Sequence, residues 1–285
     1  MSGTSIIKPI LKYPGAKWRI ASWIVSLFPP HVHYVEPYAG SAACFFTKTP
    51  ARHEVLNDLN GSICTLFRVL RERCDELVHA IRLTPWCEEE YERFEKNWYH
   101  EDDVEHARRF LVRCWQAHGG TMYQVSGWKH NGLNGHAYPV RLWQQLPERL
   151  LAVVERLRYA EVRNRPALEM IDYYNAPDVL LYVDPPYILS TRARKYYPYE
   201  MTNEDHMQLL ETLDAHKGMV ILSGYAHPLY DERLHHWQRL TLSAVAEHGK
   251  QQTEVLWLNP QAVQRHQLYL FNEVISDVEE EQCIL

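Results

Sequence analysis

The sequence predicts an α/β protein built on a doubly wound sheet. Short runs of β-branched and aromatic apolar residues alternate along the chain with segments whose apolar residues recur at helical spacing. Several of these short runs end at an acidic residue or a proline, at the strand ends where open α/β sheets bind ligands. One long segment of helical pattern, 61–158, interrupts the alternation, so we expect a mainly helical insert between two parts of one sheet.

Composition and charge narrow the class of protein. Hydrophobic residues make up 46% of the 285-residue chain, which is enough for a core, and the formal net charge is −6. No apolar run reaches the ~18 residues of a membrane span or resembles a signal peptide, so we expect a cytoplasmic protein without a membrane partner. The six cysteines show no C-x-x-C or zinc-ligand spacing, so we expect free thiols and no metal site.

The first candidate ligand-binding element is a turn that opens a helix. Pro14-Gly15 is a turn signal, and the apolar residues that follow it over 18–28 have helical spacing. The free N–H groups of a helix start, together with the charge of Lys17, suit a carboxylate. A plain helix start without a ligand is the alternative that these residues leave open.

Two predicted strands then end in residues suited to a nucleotide. The strand over 34–36 ends at Pro37 and is followed by the small residues of 39–43, which let a ligand approach the backbone closely. Gly40 stands alone there, so this is not the G-x-G-x-x-G dinucleotide fingerprint. The strand over 54–57 ends before Asp58, a position from which a carboxylate can accept ribose hydroxyls, although a helix-capping Asp gives the same pattern.

The insert combines helical patterns with a glycine-rich loop, 118–137. This loop holds five of the twelve glycines, interleaved with aromatic and hydrogen-bonding side chains that could read base edges; a surface loop without function is the alternative. Between 106 and 165, ten basic residues stand against three acidic ones in a chain that is acidic overall. Because phosphate contacts dominate non-specific affinity for DNA, we expect about half of these basic residues to face DNA.

The site prediction depends on the turn Asp184-Pro185-Pro186-Tyr187. It follows an apolar run, 178–183, of the length and composition of a buried central strand. The two prolines end the strand and hold a carboxylate and an aromatic ring in fixed relation. The carboxylate and a neighbouring carbonyl could accept hydrogen bonds from both N–H groups of an amino group, and the ring could stack on a base. A strand-ending turn with a helix-capping Asp is the alternative.

The rest of the chain completes the sheet. Further strands are predicted over 159–164 and 218–225, and a hairpin over 239–242 and 254–259. Directly after Tyr187, basic residues interleave with tyrosines over 188–201. This composition fits a lid that contacts a nucleic acid strand, whereas a flexible surface loop is the alternative.

Three phrases carry a resemblance to a known family. The sequences K-Y-P-G-x-K at 12–17, E-P-Y-A-G-S at 36–41 and D-P-P-Y at 184–187 resemble the motifs of the Dam-like (D12) adenine-N6 DNA methyltransferases. The resemblance covers essentially the whole chain, and phrases such as T-E-V-L-W at 253–257 are similar to phage-type members. It implies a Rossmann-like methyltransferase domain, 1–60 and 159–285, that binds S-adenosylmethionine. It also implies a target-recognition insert, 61–158, that binds double-stranded DNA.

Carried onto this sequence, the resemblance implies roles for individual residues. A flipped adenine would be methylated at N6 by the turn of Asp184, Pro185, Pro186 and Tyr187. The residues implied to hold the cofactor are Tyr13, Gly15, Lys17, Glu36, Pro37, Tyr38, Gly40, Ser41, Asp58 and Asp184. Those expected to contact DNA are Trp128, Lys129, Asn131, Asn134, Arg192, Arg194 and Lys195. Lys17 would face the cofactor's carboxylate and Asp58 its ribose.

One departure from the family and several open alternatives remain. Where the family often has an Asp that contacts the cofactor's adenine, this chain has Pro166, so no side chain is assigned to that contact. Methylation of cytosine N4 or of a glutamine amide uses related turns, which more often begin with Ser or Asn. A non-catalytic DNA-binding relative is the remaining alternative, and the intact cofactor motifs disfavour it. We expect a monomer or a weak dimer.

Overall fold

A twisted sheet with helices on both faces forms the centre of the protein. The computed structural model describes residues 7–118, 122, 126–130, 138–192, 194–245 and 251–269. Within these residues the sheet has seven strands in the order β3-β2-β1-β4-β5-β7-β6. The strands are β1 (His33–Glu36), β2 (His53–Asn57), β3 (Ala160–Arg163), β4 (Val179–Val183), β5 (Met219–Gly224), β6 (Gln238–Val245) and β7 (Gln251–Leu258). Strands β1 to β5 are parallel, and β7 runs antiparallel to both β5 and β6. The predicted doubly wound sheet is therefore confirmed.

The helices connect the strands and build the insert. They are α1 (Ala21–Ser26), α2 (Ala43–Thr47), α3 (Gly61–Glu72), α4 (Cys74–Leu83), α5 (Glu88–Phe94), α6 (Asp103–Gln116), α7 (Tyr138–Gln144), α8 (Leu146–Leu157), α9 (Ala167–Tyr173), α10 (Asn203–Asp214) and α11 (Pro228–Arg233). A 3-10 turn covers Leu189–Thr191, and residues 260–269 are helical. Side-chain caps begin four of the helices in the described residues: Asn60 caps α3, Asp102 caps α6, a capping box of Thr202 and Asp205 begins α10, and His227 caps α11.

Alternate residues of the central strands face two different helical layers. On β4, Leu180 and Tyr182 join one apolar cluster, whereas Leu181 and Val183 join the other. The first cluster also contains side chains of α3, α4, α6 and α8, and the second contains those of α9, α10 and α11. The core of the helical insert is thus continuous with the core on one face of the sheet.

Much of the basic charge counted in the insert is paired inside the protein. Arg113 is buried, and Arg108 forms ion pairs with Glu90 and Glu105. The simple count overstated the free charge because Glu90, like other acidic partners, lies outside the segment that was counted. Arg141 and Arg165 are exposed, and which basic residues contact DNA stays a prediction.

A buried ion-pair cluster attaches the insert to the sheet. Arg156 on α8 reaches the carboxylate of Glu54 on β2, whose side chain has no exposed surface. The same carboxylate accepts a 2.6 Å hydrogen bond from Lys48, and the Arg156 guanidinium lies 3.7 Å from the centroid of the Phe45 ring. A buried carboxylate is tolerated only where its charge and lone pairs are matched, so these cations are needed for the fold.

We expect Arg156→Ala to lower the free energy of unfolding by about 3 kcal/mol, because it removes one of the cations paired with a fully buried carboxylate. The matched control is Arg158→Ala on the same helix, since Arg158 pairs with Glu155 on the surface. That control should change stability by no more than about 0.5 kcal/mol. Urea denaturation followed by tryptophan fluorescence measures both, and equal unfolding midpoints for the two variants would contradict the assignment.

Candidate active site

A pocket of about 290 Å³ opens at the carboxyl edge of the sheet, near the point where the strand order reverses between β1 and β4. Separate stretches of the chain meet there, because the ends of parallel strands converge on one edge. The pocket is lined by every residue that the sequence predicted to hold the cofactor: Tyr13, Gly15, Lys17, Glu36, Pro37, Tyr38, Gly40, Ser41, Asp58 and Asp184. The structure thus brings these residues together, while their roles stay predictions.

The turn after β1 owes its shape to left-handed backbone and a buried carboxylate. Gly40 has φ of +50°, a left-handed backbone in which a side chain would be strained, and the Tyr13 ring lies 3.5 Å from where a Cβ would stand. Glu36 accepts hydrogen bonds from the Tyr34 hydroxyl (2.6 Å) and the Phe45 N–H (2.8 Å). Burial raises the pKa of Glu36 to about 8, against the lowering effect of those two bonds. Glu36 therefore orders the turn at the pocket wall.

Asp58 is fixed at the end of β2 by two backbone groups. One carboxylate oxygen accepts from the Gly40 N–H and the other from the Asn60 N–H, both at 2.8 Å. Burial raises the pKa of Asp58 to about 6, although both hydrogen bonds lower it. Ionised above that pH, the carboxylate keeps free lone pairs and lines the pocket, as a hydroxyl acceptor requires.

Lys17 joins the N-terminal turn to the turn after β4. Its ammonium donates to the Gly15 carbonyl at 2.8 Å, lies 2.9 Å from Asp184 and stands 3.8 Å from Glu254. Burial would lower the pKa of Lys17, but the carboxylates of Asp184 and Glu254 outweigh it and raise the pKa above its ordinary value. The charge expected to face a cofactor carboxylate is thus already shared with Asp184, which also accepts a 2.8 Å hydrogen bond from Ser223.

Tyr187 is held inside the site rather than on the pocket surface. Asp184 and Pro186 are among the pocket-lining residues, whereas Tyr187 is only 9% exposed. Its hydroxyl donates to Glu254, the Lys17 ammonium lies 4.7 Å from the ring centroid, and the Tyr225 ring packs edge-on at 4.6 Å. The ring expected to stack on a base is therefore anchored at its tip and on a face.

The segment after the turn contributes another wall of the pocket. Residues 197–201 line it, and the Tyr197 hydroxyl donates to the Pro14 carbonyl at 3.1 Å. Arg192 forms a two-point ion pair with Glu200, and only 6% of its side chain is exposed. The guanidinium of Arg192 therefore orders this segment, whereas Arg194 and Lys195 are exposed as a contact with DNA would require.

The DNA-contact prediction for the insert loop meets a structural role at its base. The Trp128 indole N–H donates to the Gln116 side chain at 3.1 Å, and Trp128 packs partly against the core. The Lys129 backbone pairs with Gln116 and accepts from the Trp86 indole. These contacts anchor the start of the loop, while Asn131 and Asn134 lie outside the described residues. DNA contact by this loop stays a prediction.

Sequence reasoning missed two partners of the turn 184–187, Ser223 and Glu254. Glu254 stands in the T-E-V-L-W phrase that resembles the family, but nothing in that phrase or around Ser223 indicated a role for either side chain. Across the described part of the chain, no cluster of His, Cys, Asp and Glu could hold a metal ion. In the same residues no helix has the length and apolarity to cross a membrane, and the cysteines there are free thiols.

Most of the chain matches one known protein family. No curated protein gave a match to the chain. Residues 13–241 match the model of the D12 class N6 adenine-specific DNA methyltransferase. The matched span runs from Tyr13 through β1, the whole insert and the turn 184–187 into β6, and so covers most of the chain. The chain therefore belongs to the D12 class N6 adenine-specific DNA methyltransferase family.

Proposed function

We propose that the pocket binds S-adenosylmethionine and that the turn 184–187, here called the Asp184 turn, directs its methyl group to N6 of an adenine in double-stranded DNA. Family membership supplies the activity, adenine-N6 methylation of DNA, and implies this methyl donor. The observation that carries the proposed residue roles is that all ten residues predicted to hold the cofactor, Asp184 among them, line one pocket. These residues come from four stretches far apart in sequence, and chance alone does not readily bring them to one pocket.

The chemistry of the pocket fits the proposed cofactor from end to end. The ionised Asp58 would accept the ribose hydroxyls, and the Lys17 ammonium would face the amino-acid carboxylate. Pro166 and Leu168 supply apolar walls for a purine where the family often has an Asp. When bound, the cofactor supplies an electrophilic methyl group on a sulfonium sulfur.

The Asp184 turn would hold the target amine. N6 of adenine is stacked and paired in duplex DNA, so the base must leave the helix at a cost of about 3 kcal/mol. The Asp184 carboxylate and the Pro185 carbonyl would each accept a hydrogen bond from one N–H group of the amine. They would hold the nitrogen close to tetrahedral, with its lone pair directed at the methyl. After methyl transfer, the carboxylate would accept the proton that the nitrogen loses. Positioning of this kind can contribute about 7–11 kcal/mol.

Tyr187 would recover part of the cost of extruding the base. Stacking of a base on an aromatic side chain contributes about 1–3 kcal/mol. The ring must then be presented in one orientation, which fits its anchored hydroxyl and its contact with Lys17. The exposed Arg194 and Lys195, directly after the turn in sequence, would contact phosphates beside the extruded base.

The first test of the proposal is Asp184→Ala. We expect methylation of unmethylated plasmid DNA to fall about 100-fold or more, because one of the two acceptors of the amino group is lost. DNA binding, measured by filter retention, should persist. Mass spectrometry of the digested DNA would detect N6-methyladenine. Wild-type levels in the variant would refute the role of Asp184, and N4-methylcytosine from the wild-type enzyme would refute the acceptor atom.

The second test uses the pH dependence of cofactor binding. The pKa of Asp58 is raised to about 6, and its ionised form accepts hydroxyl donors, so affinity should be half its maximum near that pH, rise above it and fall below it. The fall should approach about tenfold per pH unit if only the ionised form binds. Calorimetry with S-adenosylhomocysteine measures it. Asp58→Asn should bind weakly at pH 8 and lose this pH dependence; an unchanged profile in that variant would contradict the assignment.

A further inference from the structure

One buried carboxylate at the active site has no part in the proposed function so far. Glu254 lies on β7, beyond the family match at 13–241, and 8% of its side chain is exposed. Because β7 runs antiparallel to β5, with Val255 opposite Gly224, its first half lies at the carboxyl edge of the parallel strands. That position places Glu254 beside the Asp184 turn rather than at the far end of the sheet.

The contacts of Glu254 form a closed set with that turn. The carboxylate accepts from the Tyr187 hydroxyl and lies 3.8 Å from the Lys17 ammonium. Lys17 in turn lies 2.9 Å from Asp184 and 4.7 Å from the centroid of the Tyr187 ring. Glu254 therefore contacts both side chains that determine how the turn is presented, without itself being one of the pocket-lining residues.

Burying a carboxylate here is unfavourable unless its partners compensate. An unpaired buried charge is strongly disfavoured, and a hydrophobic residue of similar size often serves stability equally well or better. Burial and the nearby Asp184 both act to raise the pKa of Glu254, while Lys17 and the Tyr187 hydroxyl act against them, and the net shift is upward. Stability alone thus gives a weak reason for this side chain.

We propose that Glu254 is a positioning residue for methyl transfer. By holding the Tyr187 hydroxyl and sharing the Lys17 ammonium with Asp184, it fixes the ring plane and the carboxylate of the Asp184 turn relative to the target amine. This inference rests on the proposed function, in which Tyr187 stacks on the base and Asp184 holds the amino group. A ring that is anchored at its tip cannot swing aside, and a displacement of about 1 Å in such a site can lower the rate about 100-fold.

The test compares Glu254→Leu, Glu254→Gln and Tyr187→Phe with the double variant Glu254→Leu/Tyr187→Phe. Single-turnover methylation is measured at saturating S-adenosylmethionine and plasmid DNA. We expect the rate to fall about 100-fold with Leu and only about 10-fold with Gln, because the amide oxygen still accepts from Tyr187. The affinity for S-adenosylhomocysteine and the unfolding temperature should stay close to wild type. The double variant should be no slower than the slower single one, since both remove the same contact.

The matched control is Glu211→Leu, which removes an exposed carboxylate that pairs with Arg233 and should leave the rate unchanged. A wild-type rate in Glu254→Leu overturns the inference. A lower rate that is accompanied by a lower unfolding temperature and weaker binding of S-adenosylhomocysteine also overturns it, because this combination shows a purely structural role. Rate losses that multiply in the double variant overturn it as well. Asp184→Ala separates the two levels: activity retained in that variant refutes the proposed function, whereas its loss beside an unaffected Glu254→Leu refutes only the inference.

Discussion

The ion pair between Lys17 and Asp184 is the contact on which the site depends. An ammonium that is only 8% exposed needs acceptors, and it finds them at 2.8 Å in the Gly15 carbonyl and at 2.9 Å in the Asp184 carboxylate. The two partners stand on turns far apart in sequence, one before α1 and the other after β4. Pairing them closes one end of the pocket and sets the distance between the proposed cofactor-binding turn and the proposed catalytic turn.

Local sequence was sufficient to predict the parts of the site that follow from strand ends. Asp58 stands directly after β2 and Asp184 directly after β4, and the proline pair leaves the chain no way to extend β4. Because parallel strands end at one edge, residues predicted separately were bound to meet there. The prediction of Lys17 as a carboxylate ligand was less complete, since sequence reasoning considered the cofactor's acid and not Asp184.

The contacts that sequence reasoning missed join residues through the order of the strands. Ser223 reaches the Asp184 turn because β5 lies next to β4, and Glu254 reaches it because β7 lies next to β5. A predicted hairpin of the last two strands does not say which of them lies next to β5. The pairing of Arg156 with Glu54 likewise spans 102 residues and needs the insert to pack on the sheet. Side-chain charge counts along the chain cannot reveal such partners, which is why the basic segment looked more available for DNA than it is.

The balance of charge around the pocket fits the direction of the proposed reaction. Lys17 is outnumbered by the carboxylates of Asp58, Asp184 and Glu254, although the raised pKa of Glu254 weakens its share. Such an environment favours a ligand that carries a sulfonium charge over one that does not, because like and unlike charges interact strongly where water is excluded. Transfer of the methyl group removes that sulfonium charge, so the attraction that holds the substrate form weakens once the product has formed. The same carboxylates would then also favour release of the spent cofactor.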